Sequence, residues 1–275
     1  MLMLGARSRS LARSLTTTER RVPLLSRLRL ADDSAAFCAA GFSMGPGLNI
    51  GGVEIELISP GERNAWAWKD GIGSSNIDVD GIATEIEGFE ILGQSLDYTR
   101  TEPHRNQASA LYSVSVSTPD LQRTVDAMSA SLGAPRKVAS PSPFSTAISM
   151  AFFKLGSPSG PVIVEVIAPT TPGTAVELPG LPSIAADRDV PASIVGMVVV
   201  APVLDHLPKL LGADCVGNAR PAMQGEGRMI APVRRGQLGL GLSLAFMTPP
   251  NQAALQARAK KGAGVGLSSV LSTAG

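Results

Sequence analysis

The stretch from residue 111 to residue 168 constrains the fold more than any other part of the chain, because its apolar residues change period in a fixed order. Tyr112, Val114 and Val116 alternate with serines over 111–117, the period-two pattern of a strand with one buried face. Thr118 is the expected cap and Pro119 the first turn of a helix. Leu121, Val125, Met128 and Leu132 then recur at helical spacing until Gly133 ends it. Strands follow at 136–139, 147–155 and 161–168, divided by Pro, Ser and Gly clusters that read as turns. The unit is β-α-β-β-β.

The unit recurs. A second copy has a strand at 194–201, a helical segment opened by Pro202 and stopped by Gly212, and strands at 215–219, 228–234 and 238–247. Pro208 is expected to kink or shorten that helix by removing a backbone donor. Upstream, a compressed version has a strand at 24–30, a helix at 33–40 with Gly41 as its stop, and one strand at 48–58. A fourth fragment has strands at 75–79 and 89–96 around a turn of helix at 83–87. Parallel strands need a crossover and meander strands do not, so each unit makes a mixed, curved sheet with its helix on the convex face. The expected fold class is therefore α+β, with tandem βαβββ units forming cupped sheets. Residues 22–105 would be a degenerate pair and 106–249 the better-formed one.

A phrase marks the end of two units: Val164-Glu165-Val166-Ile167-Ala168-Pro169 echoes Ile55-Glu56-Leu57-Ile58-Ser59-Pro60. This order of elements, with a glutamate on the last strand, resembles the vicinal oxygen chelate superfamily, the glyoxalase, bleomycin-resistance and extradiol-dioxygenase group. The resemblance implies a divalent metal in each cup, held by a His early in the first strand, a Glu on the fourth, and matching positions on the paired unit. Glu165 and Glu56 match the carboxylate and are the candidate metal ligands. The other positions carry Ser113, Gly196 and Ser243 in one cup, and Arg27 and Asn76 in the other. None replaces imidazole, so a divalent metal is disfavoured and the cofactor is unknown. Of the two histidines, His104 lies in a Pro-rich connection and His206 beside a proline on the convex side.

Glu165 has Ile163 and Ile167 on its own face, and a carboxylate facing an apolar cup has a raised pKa suited to proton abstraction beside a carbonyl. Glu165 is thus also the candidate catalytic base, unless it faces solvent or pairs with an arginine such as Arg136. Glu54 and Glu56 share a face that reads as hydrated surface. The expected function is that of a glyoxalase-like protein binding a small organic ligand, a lyase or isomerase with a depleted metal site. The alternative is a non-catalytic module that sequesters a metabolite or docks a partner. Cups can close within the chain or between copies, which leaves a homodimer open.

Other motifs are weaker. Gly41-Phe42-Ser43-Met44-Gly45 satisfies the nucleophile-elbow pattern, but a helix is expected before it and Gly45-Pro46-Gly47 forbids one after it. Trp66 and Trp68 read as core filling or pocket lining, and Arg220, Arg228, Arg234 and Arg235 as a solvated face or anion receiver. The Gly-rich stretches lack the context of a phosphate loop. A net charge of +1 and only seven Phe, two Trp and two Tyr argue against nucleic acid as a partner. No apolar run approaches the roughly 20 residues that span a bilayer. Cys38 and Cys215 read as buried free thiols. Residues 1–21, rich in Arg and Ser with Glu19 the single acid, have transit-peptide composition, which points to a mitochondrion or plastid; an unstructured basic terminus in a cytoplasmic protein is the alternative. Residues 250–275 read as a mobile tail with a short basic helix at 251–261.

Overall fold

The computed structural model describes residues 22–45, 47–69, 74–87, 103–178, 180–253 and 255–256. The presequence-like residues 1–21, the strand expected at 89–96 and most of the basic tail helix lie outside them. No helix among the described residues is long and apolar enough to cross a membrane.

Two mixed sheets organise the chain. The upstream sheet is built from β1 (Leu24–Ala31), α1 (Ser34–Ala39), β2 (Leu48–Ile50), β3 (Val53–Ile58), β4 (Ala65–Lys69), β5 (Ser75–Val79) and β6 (Ile82–Glu87), in strand order β2-β3-β1-β4-β6-β5. β1 runs parallel to β3 and β4 parallel to β6, while β1 and β4 meet antiparallel. The sheet is thus two short units joined through their first strands.

Two expectations change here and one is decided between its alternatives. The strand expected at 48–58 is a hairpin, because Gly51 and Gly52 at φ +61° and +87° form a two-residue turn that closes Ile50 onto Val53. A Cβ on Gly51 would lie 2.8 Å from the Ala110 Cα, so the close approach of a neighbouring strand also requires glycine. Residues 83–87 belong to a strand, with Ile82, Thr84 and Ile86 buried and Ala83 and Glu85 exposed at period two. Finally, Trp66 and Trp68 lie on a strand and are buried in the core, with Trp66 Nε1 donating to Thr84 Oγ1 at 2.7 Å.

The second sheet contains β7 (Ala110–Ser117), α2 (Leu121–Leu132), β8 (Lys137–Ala139), β9 (Ile148–Leu155), β10 (Val162–Pro169), β11 (Ser193–Val200), α3 (Leu207–Leu211), β12 (Arg220–Pro221), β13 (Met229–Pro232), α4 (Arg235–Leu238) and β14 (Ser243–Met247). Its order, β12-β13-β14-β11-β7-β10-β9-β8, is two complete units meeting antiparallel through β11 and β7. The N-cap of α2 is Asp120, whose side chain accepts from the Arg123 amide at 3.2 Å; Thr118, expected in that role, accepts from the Asp120 amide instead. Pro208 lies in the first turn of α3, where no amide donor is needed, so it does not kink the helix; the helix is shorter than the expected segment from Pro202, as the second alternative has it. In place of a strand at 215–219 there is a single bridge from Val216 to Val233. Residues 235–238 form α4, so β14 begins later than expected.

One hydrophobic cluster spans both sheets. It joins Leu28, Ile55, Trp66 and Trp68 to Phe37 on α1, Val125 and Met128 on α2, and Val114, Val116, Val164 and Phe153. The helices and core therefore lie between the convex faces, and both concave faces turn outward. Polar latches cross this layer. The buried Asp32 accepts from the amides of Gly241 and Leu242 at 3.0 and 3.2 Å, and Asn64 Nδ2 donates to the Ile194 carbonyl at 2.6 Å. Cys38 is exposed and Cys215 partly buried, both free, which corrects the expectation of two buried thiols.

Candidate active site

Residues opposite one another in adjacent strands share a face. Lys137, Phe152, Glu165, Ser115, Gly196 and Ser243 fall opposite one another and form a single row across the concave face of the larger sheet. Glu165 stands near the middle of that row.

Half of this cup is filled by the protein itself. The connection from β10 to β11 turns back where Val176 and Ile184 pair through their backbones at 3.0 and 2.9 Å, and both pack on Ile148, Met150 and Ile167. Ser243 Oγ donates to the Gly180 carbonyl, and Leu181 Cδ2 lies 3.7 Å from where a Gly196 Cβ would be. What stays open is a cavity of about 310 Å³ on the other half, lined by Tyr112, Phe144, Phe152, Ile163, Glu165 and Met223, with Lys137 at its edge. A register shift opposite Val198 and Val199 makes Tyr112 an extra residue in β7, and its ring joins the cavity wall.

Glu165 retains some exposed area toward the cavity, yet its carboxyl is enclosed by apolar groups. Burial raises its pKa from 4.5 to about 7, opposed by a long hydrogen bond from Ser115 Oγ at 3.4 Å. No ion pair to Glu165 is formed among the described residues, from Arg136 or any other cation. Tyr112 is also raised, first by burial and then by the nearby Glu165, against the lowering effect of Arg228, whose guanidinium lies 5.0 Å from the ring centre. Of the four arginines singled out in the sequence, Arg228 lies against the Tyr112 ring of the cavity wall, and Arg220 is on the edge strand β12, opposite Ile230. Arg234 and Arg235 bond to the carbonyls of Asp214 and Gly241.

The metal implied by the fold does not fit this cup. Its polar side chains at the relevant positions are one carboxylate and the hydroxyls of Ser113, Ser115 and Ser243, with Gly196 contributing none. Among the described residues no three His, Cys, Asp or Glu side chains are grouped to share a metal ion. Gly196→His would place a Cβ 3.0 Å from the Ser243 carbonyl oxygen. That variant is expected to lose about 2 kcal/mol of stability by overpacking and to retain no stoichiometric Zn²⁺ after dialysis. Retention of one Zn²⁺ per chain with unchanged stability would contradict this account of the cup.

In the upstream cup Glu56 is held by Arg29 through hydrogen bonds of 2.9 and 3.2 Å, and Arg27 reaches Glu54 at 2.9 Å and Glu85 at 3.7 Å. A guanidinium thus occupies the coordinating oxygens of Glu56. Asn76 lies on β5, whereas the first strand of that unit is β4, so the position assigned to Asn76 belongs to Ala65 or Ala67. The fourth-strand carboxylate of this unit is Glu85, which sequence reasoning missed by reading 83–87 as helix; the period-two pattern of Ile82, Thr84 and Ile86 was the available signal.

The remaining candidates are structural. His104 Nδ1 accepts from the Ser43 amide at 3.1 Å and its Nε2 faces the Asn49 carbonyl at 2.9 Å, so both nitrogens are taken. A larger groove of about 680 Å³ beside the Gly51-Gly52 turn has His104 as its one ionisable side chain. Ser43 follows a helix rather than a strand and donates to the Pro103 carbonyl, which rules out a nucleophile elbow. His206 stands at the start of α3, away from the cup residues in sequence and fold.

No protein-family model and no curated protein matches this sequence. Solved structures share its fold. A mutant of 4-hydroxymandelate synthase from Streptomyces coelicolor matches with a TM-score of 0.51 at 12% identity, covering 85% of this chain and 94% of that one. Weaker likenesses are to a halotolerant catechol dioxygenase (TM-score 0.46, 9% identity, 84% of this chain and 87% of that one) and to methylmalonyl-CoA epimerase from Mycobacterium tuberculosis (0.40, 15%, 57% and 99%). The fold is that of the vicinal oxygen chelate proteins. Within it, the described residues form two cups: one that keeps a cavity of about 350 Å³ but whose Glu54, Glu56 and Glu85 are held by Arg27 and Arg29, the other half filled and carrying a single unpaired carboxylate.

Proposed function

We propose that the protein binds a small, partly apolar organic ligand in the Glu165 cavity and transfers a proton at a carbon beside a carbonyl, as an isomerase or lyase does, without a bound metal. The observation that supports this most is the placement of one unpaired carboxylate on the floor of an apolar cavity in the concave face. Glu165 removes the proton, the electron pair of the broken C–H bond moves onto the carbonyl oxygen, and the proton returns to carbon or a leaving group departs. Tyr112 stays protonated at neutral pH and offers an O–H to the same cavity. A carboxylate near neutrality is matched to this task, since it is ionised often enough to act and basic enough to be effective.

The test is deuterium exchange followed by NMR in D2O with chelator-treated full-length protein and a panel comprising a 2-oxo acid, a β-keto ester and a thioester, each with an α C–H. Exchange is expected with at least one compound and should fall by about 100-fold or more in Glu165→Gln. If neither protein exchanges any compound, the base assignment fails. Binding by thermal shift without exchange would then leave a sequestering protein.

A further inference from the structure

We infer that the ligand of the Glu165 cavity is a small organic monoanion with an apolar body, its charge received by Lys137 at the rim and its body clasped between Phe144 and Met223. This rests on reading the cavity as a ligand site and goes further by naming the ligand's chemistry.

The apolar part follows from the lips of the cavity. Phe144 and Met223 are 53% and 58% exposed, and both line the Glu165 cavity. Phe144 lies in the connection between β8 and β9, Met223 in the connection between β12 and β13. In the paired-unit architecture these are the same connection seen twice. Large apolar side chains held in water at both sides of one opening form a clasp for apolar surface. Phe152 and Ile163 continue that surface inward to Glu165.

The charge follows from the row across the sheet. Lys137 lies opposite Phe152, and Phe152 opposite Glu165, so Lys137 and Glu165 are two strands apart, or about 10 Å between their backbones. The Lys137 ammonium makes no ion pair or side-chain hydrogen bond among the described residues. Of the other cations on this face, Arg228 faces Glu226 and the Tyr112 ring, Lys154 is exposed opposite Ile163, and Arg220 lies opposite Ile230 on the far edge strand; none of the three lines the cavity. Among the lining residues Lys137 is therefore the one positive charge presented to a ligand. It matches one negative charge rather than the two or more of a phosphate ester. A ligand anchored on Lys137 and lying over Phe152 brings its far end to Glu165, the arrangement that proton abstraction requires.

Calorimetry at pH 6 with phenylacetate, its neutral isostere phenylacetamide, and acetate tests this on the full chain. Wild type is expected to bind phenylacetate about fivefold or more tighter than the amide and to show no measurable binding of acetate. Lys137→Met should bind acid and amide equally. A Phe144→Ala/Met223→Ala double variant should lose about tenfold for phenylacetate while keeping the preference for the acid. Equal binding of acid and amide by wild type, a preference that survives Lys137→Met, or no binding of either aromatic probe overturns the inference. The failures are separable: anion preference without Glu165-dependent exchange would sink the base assignment alone. Exchange without anion preference would sink the ligand class alone.

Discussion

Glu165→Gln is expected to be more stable than the wild type at pH 8 by about 3 kcal/mol, and no more stable than it at pH 4. The carboxyl has a folded-state pKa of about 7 against 4.5 in the unfolded chain, because burial disfavours its charged form. Below pH 4.5 both states hold the proton and the group costs nothing. Between 4.5 and about 7 the unfolded state releases the proton while the folded state keeps it, so stability falls as pH rises. Above 7 both are ionised and the full cost remains, about 1.4 kcal/mol for every tenfold difference in proton affinity between the two states. Glutamine fills the same space without a charge and escapes that cost. Urea denaturation of both proteins from pH 4 to 8.5 reads the difference directly; identical midpoints at pH 8 would show that Glu165 is not held in an unfavourable setting.

The second large effect belongs to Asp80, in the turn between β5 and β6, whose side chain is 7% exposed. It accepts from Thr124 Oγ1 on α2, lies 2.6 Å from Arg123 Nε and 3.5 Å from Thr118 Oγ1, and its carbonyl accepts from the Ala192 amide at 2.8 Å. One residue of the upstream sheet thus secures the start of α2 and the entry to β11. Its φ of +53° is a left-handed conformation that Asp and Asn tolerate better than most residues. Asp80→Ala removes the carboxylate that pairs with Arg123, leaves the Thr118 and Thr124 hydroxyls with only the Asp120 carbonyl and each other, and adds backbone strain, for an expected loss of about 3 kcal/mol. Asp80→Asn keeps the backbone preference and one acceptor oxygen, and should lose about half as much. Because the two sheets share one hydrophobic cluster, the loss should appear as a shift of a single unfolding transition. A loss below about 1 kcal/mol for the alanine variant, or two separate transitions, would show that the latch does not couple the sheets.

Particular segments show how much of this was legible in the sequence. The βαβββ unit from β7 to β10 was read almost residue by residue, because its strands carry period-two alternation, its helix carries a 3.6-residue stripe, and Gly133 marks the stop. β4 carries no period-two signal, since Ala65, Trp66, Ala67 and Trp68 are all buried on a five-residue strand, and 82–87 is short enough for a helical period to be imposed on it. The hairpin at Gly51-Gly52 was signalled by the glycine pair but hidden by the apolar run on either side. Glu165 reads as a cup-facing acid from the family resemblance together with Ile163 and Ile167 on its own face, since alternation fixes the face of a strand residue.

The sequence by itself determined the repeated unit, the class of fold and the absence of imidazole at Ser113, Gly196 and Ser243, because periodicity and residue identity are local properties of the chain. Only the tertiary structure decided that Glu56 is taken by Arg29, that the β10–β11 connection fills the cup over Gly196 and Ser243, and that Phe144, Met223 and Lys137 surround what remains. Those facts depend on which strands become neighbours and where a long connection comes to rest. They are set by packing between residues as far apart as Gly180 and Ser243, which no local pattern encodes.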